Sequence, residues 1–191
     1  PVRGVLPTKM TLEFKGNNFV QQVESCYGMF RMGGIYNDDK NIDLAYLKVL
    51  KEKYCCSEHN HLCRDSYDNM SIEYTNETKV ILGFKCKKAN IKIPGSEFKE
   101  FAVYYTEDLI IGNVNRFNPF SDIPGVLLEY QYEIFDIPAS LKAVKYKCQF
   151  VDDQNFELSS DYQLVSDKRI QEIINTYLPE RSFALNQDQS D

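Results

Sequence analysis

Apolar and polar residues alternate along several separate stretches of this chain, and a period of two residues is the pattern of a β-strand with one buried face. The clearest stretches are residues 10–14, 101–105, 128–134 and 144–150. The first is followed by Gly16-Asn17-Asn18, a run that tolerates the positive φ of a tight hairpin. Repeated alternation separated by turn residues predicts a mainly antiparallel sheet.

Other strands are predicted from weaker patterns. Residues 19–24 and 29–36 continue an opening meander, and residues 71–75 resume strand character after a polar loop at 55–69. Leucines recur at roughly helical spacing in residues 42–54, so this segment is predicted as either a helix or a strand. Near the C-terminus, the short runs at 156–158 and 162–164 are candidates for one or two further strands.

The centre of the chain contains a change of parity. Cys86 and the pair Ile91 and Ile93 fall on opposite parities, which predicts a β-bulge near Lys87-Lys88. A turn at Pro94-Gly95 then leads into the strand at 101–105, so Ile91 and Ile93 are expected to pair with Phe101 and Val103. The following connection, residues 106–125, is unusually long, which is uncommon unless a loop is functional or partly structured.

One helix is predicted near the C-terminus. Ser166 is a suitable N-cap, and Asp167 is favourable near the positive end of a helix dipole. An apolar stripe follows at helical spacing, formed by Ile170, Ile173, Ile174 and Tyr177. Because so short a helix needs tertiary packing, it is expected to cover one face of the sheet.

Length and charge limit the classes of protein. A chain of 191 residues suits one domain, predicted over residues 1–180 with a polar tail at 181–191. The net charge is −6 and the basic residues are scattered, so no nucleic-acid partner is predicted. The chain begins at Pro1, which fits a secreted protein after removal of its signal peptide or a trimmed chain.

Cysteine and histidine are concentrated in one segment. The run from Cys55 to Cys63 holds both histidines of the chain, and zinc prefers thiolate and imidazole ligands. Its spacing matches no standard zinc motif, so no metal or cofactor is predicted and metal binding is kept as an alternative. The six cysteines permit up to three disulfides. Cys86 and Cys148 are predicted to be buried on the apolar faces of strands, as small hydrophobic side chains or as halves of a bridge.

No catalytic residue is predicted. Only His59 and His61 are available as a base for a cysteine nucleophile. The carboxylate pairs Asp38-Asp39 and Asp152-Asp153 are interpreted as turn residues rather than as the acid pair of a glycosidase. The chain contains no GxSxG, P-loop, GxGxxG or HExxH motif.

An aromatic-rich sheet capped by a small helix can enclose an apolar pocket, because such pockets are usually lined by aromatic side chains. The predicted ligand-binding residues are Phe101, Val103, Tyr105, Leu128, Tyr130 and Tyr132. The alternative is that these six side chains fill a dry core.

Three runs resemble a known family: GFKCKKA at 83–89, AVYYTED at 102–108 and NPFSDIPGVLLEY at 118–130. They are similar to the GYKCKKA, WYT and GLPGLILE strands of GLPGLI-type secreted envelope proteins of Gram-negative bacteria, over residues 9–150. The chain departs from that pattern at Tyr104, which replaces the tryptophan, and at Ile123-Pro124-Gly125-Val126-Leu127-Leu128. The resemblance implies a periplasmic or cell-surface location. It also implies a curved sheet around helices, as in the LolA and LolB lipoprotein carriers, which hold acyl chains.

Taken together, these patterns predict an α+β domain of mainly antiparallel strands, with a curved sheet forming an unclosed half-barrel and a helix on or near its concave face. The leading hypothesis is a non-enzymatic cell-envelope protein that binds a lipid or lipidated protein between sheet and helix. One alternative is a structural or protein-interaction domain with a filled core and an envelope protein as partner. The other is a metal-binding protein that uses the Cys55–Cys63 loop.

Overall fold

The computed structural model describes residues 9–57, 67, 69–94, 100–134 and 137–177. The predicted polar tail at 181–191, most of the loop at 55–69 and the glycine of the Pro94-Gly95 turn lie outside the described residues. Among the described residues, no helix is long and apolar enough to cross a membrane.

The described strands form two sheets. The strands of the first are β1 (Lys9–Lys15), β2 (Asn18–Ser25), β3 (Phe30–Asn37), β4 (Ile42–Val49), β5 (Glu52–Cys56) and β11 (Gln163–Leu164). Strands β1 to β5 are successive antiparallel neighbours, and β11 adds to β5 in parallel at one edge. This six-stranded sheet contains the predicted opening meander, whose hairpin at Gly16-Asn17 joins Lys15 to Asn18 as expected.

The second sheet has five antiparallel strands in the order β10-β9-β8-β7-β6. Their bounds are β6 (Ser71–Ile81), β7 (Phe84–Lys92), β8 (Glu100–Thr106), β9 (Val126–Ile134) and β10 (Ile137–Lys142). One α-helix, α1 (Asp167–Tyr177), follows. The predicted class, α+β with mainly antiparallel strands, is confirmed. Neither sheet closes into a barrel, and the strands are divided between two sheets rather than gathered into one.

Residues 42–54, predicted as either a helix or a strand, form the hairpin of β4 and β5. The helical spacing of the leucines arises because both faces of β4 are buried. Leu47 packs on the face that carries α1, whereas Leu44 packs on the opposite face. Leu50 lies in the turn with a φ of 55°, a left-handed conformation in which glycine or asparagine is more usual.

The parity change in the central stretch has a different cause from the one predicted. Strand β7 is continuous, and the irregularity lies in β6, where the residues between Tyr74 and Thr78 stand opposite Lys88. Cys86 and Ile91 are buried on opposite faces of β7, so the apolar pattern changes parity without a bulge in that strand. The predicted pairing of Ile91 with Phe101 is confirmed, whereas Val103 lies opposite Ala89.

One face of the six-stranded sheet is shared by two partners. At the β1 and β2 end, Phe14 and Phe19 pack in a cluster with Cys86 and Leu128 of the five-stranded sheet. At the β4 and β5 end, the same face carries α1, through the predicted isoleucines Ile170, Ile173 and Ile174. The helix begins after Ser166, whose Oγ accepts a hydrogen bond from the backbone N–H of Arg169 at 3.3 Å. The predicted helix and its sheet-covering role are confirmed, although Tyr177 of the predicted stripe is exposed.

Residues 153–177, here called the C-terminal clasp, wrap around the β5 edge of the six-stranded sheet. Leu158 and Tyr162 pack on the face opposite α1, where the Tyr162 ring lies 5.9 Å from that of Tyr46. Strand β11 then pairs with β5, and α1 returns along the first face. The strand predicted at 156–158 is therefore wrong: Phe156 ends a short 3-10 helix, and only Gln163–Leu164 is extended into the sheet.

Candidate functional site

The six predicted ligand-binding residues are all buried. Their exposed fractions lie between 0 and 8%. Five of them share one cluster on a face of the five-stranded sheet, namely Phe101, Val103, Tyr105, Tyr130 and Tyr132. The structure therefore brings five of the six together, in contact with protein rather than with an open cleft.

Leu128 lies in a different cluster, and this corrects the predicted alternation of β9. Tyr105 pairs with Leu127, whereas the preceding residue Tyr104 pairs with Glu129, so Leu128 is an extra residue between the two pairs. An extra residue changes the face on which all later side chains lie. Leu128 consequently packs with Phe19 between the two sheets, away from Tyr130.

The cluster of five is covered by the long loop, residues 107–125, rather than by the helix. Phe120 of this loop is fully buried, and its ring centroid lies 5.9–6.1 Å from those of Tyr67, Phe101 and Tyr130. Asn115 holds the loop closed, because its Nδ2 donates hydrogen bonds to the carbonyl oxygens of Ile123 at 2.8 Å and Gly125 at 2.9 Å. A phenyl ring of the chain itself thus lies where an apolar ligand was expected.

Of the two cysteines predicted to be buried on the apolar faces of strands, Cys86 is buried and Cys148 is not. Burial raises the pKa values of Cys55 and Cys86, which keeps these thiols protonated. Cys148, predicted to be buried, is exposed and outside any strand, and neither it nor Cys86 forms a disulfide. No group of three metal-ligating side chains is found in the described part of the chain, while His59, His61 and Cys63 lie outside it.

The paired carboxylates have structural roles: Asp38-Asp39 lies in a turn, as predicted, whereas Asp152-Asp153 stands at the start of a 3-10 helix. Asp39 accepts a hydrogen bond from Asn18 Nδ2 at 2.8 Å, and Asp152 caps the 3-10 helix by accepting from the backbone N–H of Gln154 at 3.0 Å. In the five-stranded sheet, Lys79 Nζ donates to Glu129 at 2.7 Å and holds the pKa of that carboxyl below its usual value. These carboxylates are engaged with partners within the fold.

Residues 144–150 alternate apolar and polar side chains, and this stretch was predicted to be a strand with one buried face. Residues 144–150 do not form a strand, and the exposed fractions are 84% for Val144, 43% for Tyr146 and 84% for Phe150. Residues 143–152 contain no helix, turn or bend, and the alternation could not show whether a neighbouring strand exists to pair with them. This stretch with its preceding residue, here called the open segment (residues 143–150), is the candidate interaction surface.

Comparisons with models of known protein families, with curated proteins and with solved structures find no match to this chain.

Because several tyrosine hydroxyl groups are buried, the fold is expected to lose stability at high pH. Tyr46 donates a hydrogen bond to Gln22 Oε1 at 2.8 Å, and desolvation raises the pKa of Tyr46 well above the usual 10.0. Burial also raises the pKa values of Tyr105 and Tyr162. A raised folded-state pKa contributes stability that is complete below about pH 10 and lost as the pH rises further. The urea midpoint is expected to be level to about pH 9 and to fall above about pH 10.

The variant Tyr46→Phe tests this assignment. It is expected to be less stable at pH 7, because Gln22 loses its donor, and to show a smaller decline above about pH 10. Tyr27→Phe is the control, since the Tyr27 side chain is fully exposed. A decline of unchanged slope in Tyr46→Phe would show that other groups cause the alkaline loss.

Proposed function

We propose that this chain is a non-enzymatic interaction domain of the cell envelope, with a core filled by its own side chains and a binding surface on its exterior. The observation that carries the proposal is the burial of all six predicted ligand-binding residues, with Phe120 packed among them. The envelope location is supported by the sequence resemblance to GLPGLI-type proteins. This packing favours an interaction domain with a filled core over a carrier with an apolar cavity.

A ligand between sheet and helix has less support. The three isoleucines of α1 are buried directly against Leu47 and its neighbours in the six-stranded sheet. A ligand at the aromatic cluster would have to displace Phe120, and emptying a site of that size typically costs about 3–5 kcal/mol. An apolar ligand would therefore compete with a side chain that the chain already supplies.

The absence of catalysis is supported by the state of the reactive groups. A cysteine attacks as its thiolate, and burial disfavours that form at Cys55 and Cys86. Glu129, a partly buried acid, accepts from Lys79 and lies 3.5 Å from Lys142 Nζ. Such groups fit ion pairing and packing better than proton transfer.

Native mass spectrometry tests the proposal. Non-reduced protein purified from its own envelope is expected to have a native mass equal to that of the bare chain or of a complex with another protein. The same sample, measured after denaturation, provides the reference mass. An added mass of lipid size that is lost on denaturation would overturn the proposal in favour of a carrier. A zinc-sized addition removed by a chelator would favour the metal-binding alternative.

A further inference from the structure

The open segment has the side-chain pattern of a strand without a covering layer. Val144, Tyr146, Cys148 and Phe150 share one parity, and Lys145 and Lys147 occupy the other. Its residues form no helix, turn or bend, and two contacts hold side chains of the segment against the rest of the fold. The Tyr146 ring packs against Phe84 at 4.9 Å, and Lys15 Nζ lies 5.7 Å above the Phe150 ring. A segment that is already held by such contacts loses less conformational freedom when a partner binds.

The backbone of the open segment is available for pairing. It continues from β10, an edge strand, and the backbone N–H of Ala143 donates to the Leu128 carbonyl at 2.7 Å. Beyond Ala143, residues 144–152 have no strand partner within the ranges that the structure describes. Unpaired N–H and C=O groups beside apolar side chains are a template for an added strand.

Two of the three other sheet edges carry features that hinder strand addition. Strand β6 changes register between Tyr74 and Thr78, and β11 has only two residues. Irregular register and short length are both recognised means of protecting an edge. The open segment has neither, and it exposes Val144 and Phe150.

The positive charge of the open segment indicates the chemistry of its partner. Lys145 and Lys147 are exposed, and no carboxylate of the described residues pairs with either of them. Antiparallel pairing of two copies centred on Tyr146 would place Lys145 opposite Lys147, and like charges directly opposite are destabilising. Acidic side chains opposite these lysines would be stabilising instead. A second copy of the chain is therefore the poorer occupant.

We infer that the open segment accepts an extended strand from a partner protein, a strand in which acidic residues alternate with apolar ones. The acidic side chains would face Lys145 and Lys147, while the apolar ones would cover Val144, Tyr146 and Phe150. Main-chain hydrogen bonds supply affinity in this mode of recognition and the alternating side chains supply specificity. The inference rests on the proposed interaction function and names the chemistry of its partner.

The test uses a capped, fluorescent ten-residue peptide of alternating glutamate and valine, with binding followed by anisotropy and by hydrogen–deuterium exchange. Binding is expected to slow amide exchange over residues 143–151. The variant K145E/K147E is expected to bind about tenfold more weakly, since two cross-strand pairs change from attractive to repulsive. It should in turn bind an alternating lysine–valine peptide better than the original chain does. The matched control K51E/K168E changes the net charge equally at exposed sites elsewhere.

Four results would overturn the inference. They are a lack of any binding, equal binding of a peptide with the same residues arranged in two blocks, exchange protection outside residues 143–151, and an unchanged affinity in K145E/K147E. If the native mass remains that of the bare chain or a protein complex, these results remove strand addition and leave the interaction domain in place. A lipid-sized native mass removes the proposed function itself, whatever the peptide does.

Discussion

Replacing Phe120 with alanine is expected to lower the free energy of unfolding by about 3–5 kcal/mol, the usual range for a buried phenylalanine. Its side chain is fully buried and makes edge-to-face contacts with Tyr67, Phe101 and Tyr130. Aromatic pairs of this geometry contribute beyond the area they bury. The loss should therefore be large even though Phe120 belongs to a loop.

The control for this variant comes from the same loop. Ile110 is 88% exposed, so Ile110→Ala is expected to change the unfolding free energy by less than about 0.5 kcal/mol. Urea unfolding followed by circular dichroism measures both variants. If Phe120→Ala lowers the free energy of unfolding by less than about 1 kcal/mol, the Phe120 ring does not fill the aromatic cluster in solution, and the cluster is again a candidate ligand site.

The second large effect is expected at Gly34 in β3. A Cβ at this position would lie 2.1 Å from Cγ of Phe117, a residue of the long loop, so one of the two must move. Overpacking of this kind typically costs about 1–3 kcal/mol, and Gly34→Ala should fall in or above that range. The contact fixes the loop against the six-stranded sheet. Gly112→Ala is the control, because its new Cβ would approach only the flexible Asn17 side chain at 3.3 Å.

A double-mutant cycle separates this clash from a general loss of backbone freedom. In Gly34→Ala/Phe117→Ala, the new methyl group occupies space that the ring has left. The combined loss should be smaller than the sum of the single losses by at least about 0.5 kcal/mol. Additive losses would mean that the two residues do not meet in solution.

Local signals predicted the regular elements well. The Gly16-Asn17 hairpin and the Ser166-capped helix were predicted because each has its own chemistry within a few residues. The β4–β5 hairpin could not be assigned for two reasons. Leu50 occupies the turn, where glycine or asparagine would have indicated one. Both faces of β4 are buried, and the resulting spacing of apolar residues resembles that of a helix. A short sequence pattern indicates local geometry, but it does not show whether one or both faces of a strand are buried.

The predicted site depended on contacts that no local pattern contains. Alternation grouped Leu128 with Tyr130 because the extra residue in β9 is visible only in its pairing with β8. It also predicted a buried Cys148, although the open segment lacks a neighbouring strand among the described elements. That Phe120 fills the aromatic cluster follows from the path of a loop nearly twenty residues long, which the sequence indicated only as unusual.

The C-terminal clasp is synthesised well after the six-stranded sheet that it covers. A ribosome adds about 5–20 residues per second, so Tyr177 follows Cys56 by roughly 6–24 s. During that interval neither the Tyr46 side nor the Leu47 side of the six-stranded sheet has received the clasp residues that cover it. A nascent chain that stalls before residue 153 would thus expose apolar surface on both sides of the sheet, which makes it a target for chaperones and proteases.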